Sequence, residues 1–361
     1  MDKTINKNKY RRILIITILL LLSSILPIFG LYYGGNGKSI TFEDINNFIL
    51  HQTTGNNLKD ILIREVRLPP IIGAILLGLT LSASGLMLQT LFRNILADPY
   101  TTGISSGILL VASLIILTDS FSSLLEVFGS NKLVIAGWCG ALFSTIVLLI
   151  VALRVKESNG VIIVSLLISY LFGGIRSYLI SNAKDMNVME YWGYVVGSLF
   201  KIKYNDLPIL ILSTIIFIIL LLFLIKPLNA LLFGENYAKS FGLDIKKVRV
   251  LVLLTSSFIV GAIVPFVGLI GFIGIASAYL ARPLIGTSDH RYLLPTTMLV
   301  GVILMLICHI ISLKYFLPLH YIYGIDRPGS PLPIGAVLDI LGGLLVIYLV
   351  HRGEKKLKLD I

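Results

Sequence analysis

Charged residues are scarce in this chain, and their scarcity argues against a soluble globular protein. Of its 361 residues, 14% are charged and 56% are hydrophobic, whereas a soluble domain carries about 25% charged residues. Cysteine is also scarce: Cys139 and Cys308 are the two in the chain, and both lie inside apolar runs. That placement indicates packing residues rather than a disulfide framework. Lipid is therefore the predicted solvent for most of the chain.

Long apolar runs are abundant, and their pattern predicts helices. Runs such as Ile13–Ile28 and Leu207–Ile225 do not alternate with a period of two, which favours membrane-spanning helices over a β-barrel. The first run is longer than the apolar region of a signal peptide, so we predict a retained span. The sequence predicts one all-α, polytopic membrane domain over residues 1–361. It has about ten spans, at roughly 13–33, 67–90, 100–118, 132–153, 160–180, 206–225, 249–266, 270–284, 292–314 and 332–350, and a short surface helix around Thr41–His51.

Basic residues are unevenly distributed between the predicted loops. Ten spans place both termini on one side, and the segments on that side hold 19 of the 30 lysines and arginines. By the positive-inside rule, both termini are predicted to be cytoplasmic, in the cell (inner or cytoplasmic) membrane. Orientation accounts for the net charge of +11, so we predict no nucleic-acid partner.

The segment from Arg64 to Gly107 holds the most informative motif. It contains Arg-Leu-Pro at 67–69, a glycine-rich span, and the turn Arg-Asn-Ile-Leu-Ala-Asp-Pro at 93–99. This order resembles the signature of the FecCD permeases, which import vitamin B12, haem and iron-siderophores, although Pro70 and Ile95 depart from it. Further segments at 192–199, 228–249, 267–295 and 332–343 resemble later parts of the family pattern. The helix-packing and turn residues of the motif are Gly78, Gly85, Gln89, Arg93, Asn94, Asp98, Pro99, Gly103 and Gly107; the small ones are expected to let helices approach closely.

The resemblance implies an architecture, a set of partners and a cargo. The fold would be that of a type II ABC importer permease, a transport subunit with no enzymatic activity, cofactor or bound metal of its own. The partners would be a second permease copy, forming a homodimer, two ATPase subunits and an extracellular substrate-binding protein. The cargo would be an iron chelate (a siderophore or haem) or cobalamin.

The resemblance also implies roles for residues at the two ends of the spans. Docking arginines at the outer mouth would be Arg67 and Arg64, with Lys314 or Arg327 in place of a third arginine that is missing near Leu313. A helix end at the lipid headgroups is the alternative explanation for Arg64 and Arg67. Coupling to the ATPase is expected through Leu231–Leu243, as two short helices broken at Gly242. The coupling residues are Leu231, Glu235, Ala238, Lys239, Gly242, Arg282, Asp289, His290 and Arg291.

Two ionisable residues fall well inside predicted spans, His309 and Asp339. Intramembrane charge is costly and is usually paired or functional. Their similar depths in antiparallel spans lead to the hypothesis that they pair, against the alternative of separate sites in the bundle interior.

The sequence contains no comparable motif for nucleotide binding or for ion-coupled secondary transport. Gly37-Lys38-Ser39 resembles the end of a phosphate-binding loop, but position 32, where that loop requires glycine, is tyrosine. The chain therefore has no nucleotide-binding motif, and an ATPase must be a separate chain. An ion-coupled secondary transporter, the main alternative, predicts inverted repeats, which are not evident here.

Overall fold

The computed structural model describes residues 2–33, 40–118, 132–152, 158–313 and 332–353. Over these ranges the fold is all-α, as predicted, with no strand. The helices are α1 Asp2–Tyr33, α2 Phe42–His51, α3 Asn57–Ile61, α4 Leu68–Phe92, α5 Ile104–Leu117, α6 Lys132–Ala152, α7 Ser158–Ser181, α8 Asp185–Val195, α9 Leu207–Leu232, α10 Glu235–Ser240, α11 Ile245–Val267, α12 Ile273–Ile285, α13 His290–Leu313 and α14 Ile334–Gly353. A π-helical turn, Leu62–Arg67, joins α3 to α4, and 3-10 turns cover Leu199–Lys201 and Tyr204–Asp206.

The number of apolar helices agrees with the ten predicted spans. Within the described ranges, seven helices are long and apolar enough to cross a bilayer, and α5, α12 and the first part of α14 are shorter apolar helices. The predicted surface helix is also confirmed. Thr41 caps α2 in a capping box with Asp44, whose carboxylate accepts the Thr41 backbone N–H at 2.8 Å.

Helix α4 is the centre of the bundle. Of its most apolar stretch, 78% is buried, against 11% for α1 at the periphery. Glycines permit this burial, because the Cβ position at Gly78 is 2.6 Å from the Val302 Cα of α13, and that at Gly85 is 2.5 Å from the Gly274 Cα of α12. Only a residue without a side chain fits such a backbone approach.

Helices α5 and α12 are short because each begins inside the bundle. After α4 ends at Phe92, the non-helical segment 93–103 turns back, and the hydroxyl of Tyr100 accepts the Ile270 backbone N–H at 3.0 Å. Ile270 precedes α12, and Gly103, with φ of +81°, precedes α5. Two stretches of irregular backbone therefore meet inside the protein, where hydrogen bonds can satisfy them.

Candidate functional site

The segment Leu231–Leu243, here called the elbow, projects at one end of the bundle. Leu231 belongs to the last turn of α9, Gly234 reverses the chain with φ of +104°, and α10 then occupies Glu235–Ser240. Gly242, with φ of +79°, leads towards α11. The prediction of two short helices is therefore wrong: Gly234 breaks the chain as well as Gly242, which leaves room for a single helix of six residues.

Charged contacts fasten the elbow to the bundle. The Arg249 guanidinium of α11 donates to the Glu235 carboxylate at 3.1 Å, and Ala238, within α10, is fully buried. Arg93, the C-cap residue of α4, donates to the Leu231 carbonyl at 3.4 Å and lies over Gly234. These contacts hold α10 as a rigid body relative to α4 and α11.

The outer surface of the elbow is aromatic. Phe233, Tyr237 and Phe241 are 66%, 66% and 69% exposed, and Lys239 is exposed beside them. Exposed aromatic groups on a rigid support are typical of a protein-binding surface.

A buried polar network lies behind the elbow, around His290. This imidazole is fully buried, with Nδ1 2.8 Å from the Asn229 side-chain oxygen and Nε2 2.9 Å from the Thr90 hydroxyl. The Asn229 amide donates to Asp289 at 2.8 Å. Hydrogen bonding to Arg291 lowers the pKa of Asp289 to about 2. His290 thus braces α9 against α4 and α13 rather than facing a partner, and sequence reasoning missed Asn229 and Thr90, which no motif distinguishes.

Arg282 also turns into the protein. Its guanidinium donates to the side-chain oxygen of Gln89 at 2.7 Å, and Gln89 is buried. Asp98 is buried as well. Desolvation raises its pKa to about 6, although the backbone N–H groups of Tyr100 and Thr101 donate to its carboxylate at 2.8 Å and act in the opposite direction.

The turn motif at 93–103 has a structural role throughout. Arg93 caps α4 in a left-handed conformation, and the Asn94 side chain accepts the Leu96 N–H at 2.8 Å. Asp98 and Pro99 begin the return into the bundle, and the Cβ position at Gly107 is 2.6 Å from the Gly140 carbonyl of α6. The small and turn residues that were predicted to support packing therefore lie in the turn itself or at close contacts between helices.

The predicted docking arginines lie at the opposite end of the bundle, in the π-helical turn, and differ in exposure. Arg67 is 5% exposed, and its guanidinium donates to the Leu31 carbonyl at the end of α1. Arg64 is exposed. The expectation that both guanidinium groups face outward is wrong for Arg67, because it satisfies a helix-end carbonyl. Lys314 and Arg327 lie outside the described residues.

His309 and Asp339 are not paired in the structure. His309 is buried, with its ring 5.4 Å from that of Phe200, and its Nδ1 has no hydrogen-bond partner. The Asp339 carboxylate is exposed and lies against Gly271, 3.4 Å from its Cβ position. No ion pair or hydrogen bond joins the two within the described ranges, so the pairing hypothesis is wrong. Similar depth does not place two side chains on facing surfaces.

A cavity of about 660 Å³ opens between α5, α7 and α8. Its wall includes serines, Tyr170 and Trp192, and Arg176 is its one charged group among the described residues. This volume is within the range of small-molecule sites, about 300–1,000 Å³.

Comparisons with known proteins agree with this architecture. The model of the FecCD transport family matches residues 15–352. A Methanocaldococcus jannaschii protein named as an ABC transporter permease is 65% identical over 346 residues, which cover 96% of this chain and 99% of that protein. The hemin transport system permease of Yersinia pestis is 30% identical, covering 81% and 84%. The vitamin B12 import system permease of Vibrio cholerae is 28% identical, covering 83% and 85%.

A solved structure shows the same fold. It is described as an inward-facing conformation of a metal-chelate type ABC transporter, and it aligns with a TM-score of 0.77 at 25% identity, covering 94% of this chain and 99% of that one. The family match over residues 15–352 includes the elbow and the turn at 93–103. The chain belongs to the FecCD transport family and is the permease subunit of an ABC importer.

Proposed function

We propose that this permease carries an iron chelate or cobalamin, delivered by an extracellular binding protein and moved by two separate ATPase subunits. Relatives named for hemin and vitamin B12 support this class of cargo. We further propose that two copies of the chain form the path as a homodimer. In this proposal, the chain itself catalyses no reaction.

The elbow carries the proposal. Force from an ATPase reaches the spans only through a contact that is both exposed and rigid. The elbow has both properties, because Phe233, Tyr237 and Phe241 are exposed while Glu235 and Ala238 are tied to the bundle. A push on α10 would act directly on α4 and α11.

Charge supports the orientation that this coupling requires. The elbow and the start of α11 hold Lys239, Lys246 and Lys247. Arg12, in the N-terminal half of α1, stacks on Tyr292 at the same end, 5.2 Å from the ring centroid. The positive-inside rule then makes this end cytoplasmic. The N-terminal end of α1 lies there, and α14 runs towards it. At the other end, exposed Arg64 remains the candidate for docking the binding protein, since a guanidinium pairs well with carboxylate.

Reconstitution with an ATPase of the same importer tests the elbow. Tyr237→Ala removes an aromatic contact without disturbing a buried group, so we expect at least a tenfold loss of ATPase binding and of substrate-stimulated ATP hydrolysis. Tyr204→Ala, at an exposed tyrosine of the opposite end, is the matched control and should behave like the parent. The parent protein should transport only with ATP.

Two results would contradict the proposal. One is equal ATPase binding by the two tyrosine variants. The other is uptake by the purified chain alone in vesicles with a sodium or proton gradient, which would indicate the ion-coupled secondary transporter.

A further inference from the structure

The cavity between α5, α7 and α8 combines one cation with hydroxyl groups and aromatic rings. Its wall includes Arg176, Tyr170 and Trp192, and the serines Ser106, Ser169 and Ser177. No carboxylate is present among its described lining residues. The site is therefore electropositive and rich in hydrogen-bonding groups.

No acidic side chain among the described residues neutralises Arg176. Within the described ranges it forms no ion pair, and its Nε is buried without a hydrogen-bond partner. Its guanidinium interacts with the hydroxyl of Tyr191, which is a neutral group. An ionised side chain within a span is costly unless it is paired or serves a function.

The direction of the Arg176 side chain excludes simple snorkelling. Arg176 lies five residues before the end of α7 at Ser181, so a snorkelling side chain would reach towards that end. Instead, Nη2 lies 3.7 Å from the Cβ position of Gly173, one helical turn deeper. The guanidinium therefore lies beside the cavity wall, at an ordinary van der Waals distance from the Cβ position of Gly173.

We propose that Arg176 is a recognition site for an anionic group of the cargo, and specifically for a carboxylate on a metal chelate. The inference rests on the proposed transport function and narrows its cargo to chelates that carry carboxylates. A guanidinium pairs with carboxylate through two parallel hydrogen bonds. Trp192 and Tyr170, which line the cavity and are exposed, add aromatic surface that suits an aromatic macrocycle.

The serine hydroxyls of the cavity contribute little binding affinity, which suits a transport site that must also release its ligand. Ser169 and Ser177 donate to backbone carbonyls one turn earlier in α7, at 2.9 and 3.0 Å. Each hydroxyl must give up that bond before it can donate to an anion, so the serines add little net affinity. Arg176 is left as the main determinant of binding.

Tryptophan fluorescence provides a direct test, because the chain has two tryptophans. Trp138 packs on Phe258 away from the cavity, with ring centroids 5.9 Å apart, so Trp138→Phe leaves Trp192 as the reporter. The full chain with this substitution would be placed in phosphatidylcholine nanodiscs and titrated with hemin, which has two carboxylates, and with hemin dimethyl ester, which has none. The titration needs neither ATP nor an ATPase.

We expect hemin to quench Trp192 with a Kd at least tenfold lower than that of the diester. Arg176→Gln should raise the hemin Kd at least tenfold and leave the diester Kd unchanged, and Arg176→Lys should be intermediate, because it keeps the charge but loses the planar fork. Lys184→Gln removes a cation just beyond α7 that does not line the cavity. It should match the parent, and far-UV circular dichroism should show that all variants are folded.

Any of four outcomes would overturn the proposal. Equal Kd values for hemin and its diester would exclude carboxylate recognition. An unchanged hemin Kd in Arg176→Gln, or an equal change in Lys184→Gln, would exclude a specific role for Arg176. If Trp192 emission instead responds only to phosphatidylglycerol in the nanodiscs, the site binds a lipid headgroup. Because ATPase coupling is measured separately at the elbow, each proposal can fail while the other stands.

Discussion

The contact between Gly85 of α4 and Gly274 of α12 offers a quantitative test of the packing. In Gly85→Ala, the new Cβ would lie 2.5 Å from the Gly274 Cα, 2.9 Å from its carbonyl carbon and 3.1 Å from its oxygen. Carbon atoms pack best at about 3.5–4.0 Å, so the two helices must separate by about 1 Å. All three opposing atoms belong to the backbone, and no side chain can rotate away.

The expected cost follows from this overlap. Overpacking costs about 1–3 kcal/mol, and backbone on both sides favours the upper end of that range. Alanine recovers up to about 1 kcal/mol of helix propensity. Gly85→Ala should therefore lower the free energy of unfolding by about 2 kcal/mol.

Gly174→Ala is the matched control within another span. Its Cβ position has no heavy atom within 4 Å, so the helix-propensity gain is unopposed, and stability should be unchanged or rise by up to about 1 kcal/mol. Both variants would be purified in the same detergent, and their Tm values measured by intrinsic fluorescence. A Tm for Gly85→Ala that equals or exceeds that of Gly174→Ala would refute the proposed close packing of α4 on α12.

Three other predictions concern buried or partly buried polar groups. The pKa of Asp289 is lowered to about 2 by Arg291, so its stabilisation is complete above the usual value of about 3.8 and is lost as pH falls towards 2; Asp289→Asn should abolish that part of the acid dependence in thermal unfolding curves. Gln89→Leu leaves the Arg282 guanidinium without its acceptor and should cost about 1–3 kcal/mol, whereas Gln89→Glu keeps an acceptor and should be at least as stable; equal Tm values would count against this bond. Asp44→Asn weakens both the N-cap of α2 and an ion pair to α3 at 2.7 Å, so proteolytic cleavage near α2 should accelerate while the spans remain intact.

Local sequence patterns were sufficient for much of the fold. A continuous apolar run specifies a membrane-spanning helix whatever its neighbours are. In lipid, the backbone N–H and C=O groups of such a run must form hydrogen bonds within the run itself, which a helix achieves. The short surface helix predicted around Thr41–His51 is α2. The elbow was located by its resemblance to a cytoplasmic loop of the family, and glycine, which ends a helix locally, indicated its break at Gly242. Its single helix was missed because the pattern does not show that Gly234, as well as Gly242, adopts a positive φ.

The candidate site depended on contacts between distant segments. Arg67 looked exposed from its place at a helix start, but the Leu31 carbonyl, 36 residues away, binds it in the interior. His309 and Asp339 lie at similar depths in their spans, which suggested that they pair. The orientation of each helix about its own axis instead turns His309 towards Phe200 and Asp339 towards Gly271. No local pattern contains helix rotation, because it is set by packing against neighbours.

The sequence by itself determined the solvent, the helical class, the number of spans and the family, because hydrophobicity, turn residues and motif order are local properties of the chain. Only the tertiary structure decided which polar groups meet. It placed Arg176 on a cavity wall with no acidic partner in the part of the chain that the structure describes, and it joined His290 to Thr90 across 200 residues of sequence. Such meetings depend on how α4, α7 and α13 rotate and cross, and those angles result from the packing of all the helices together.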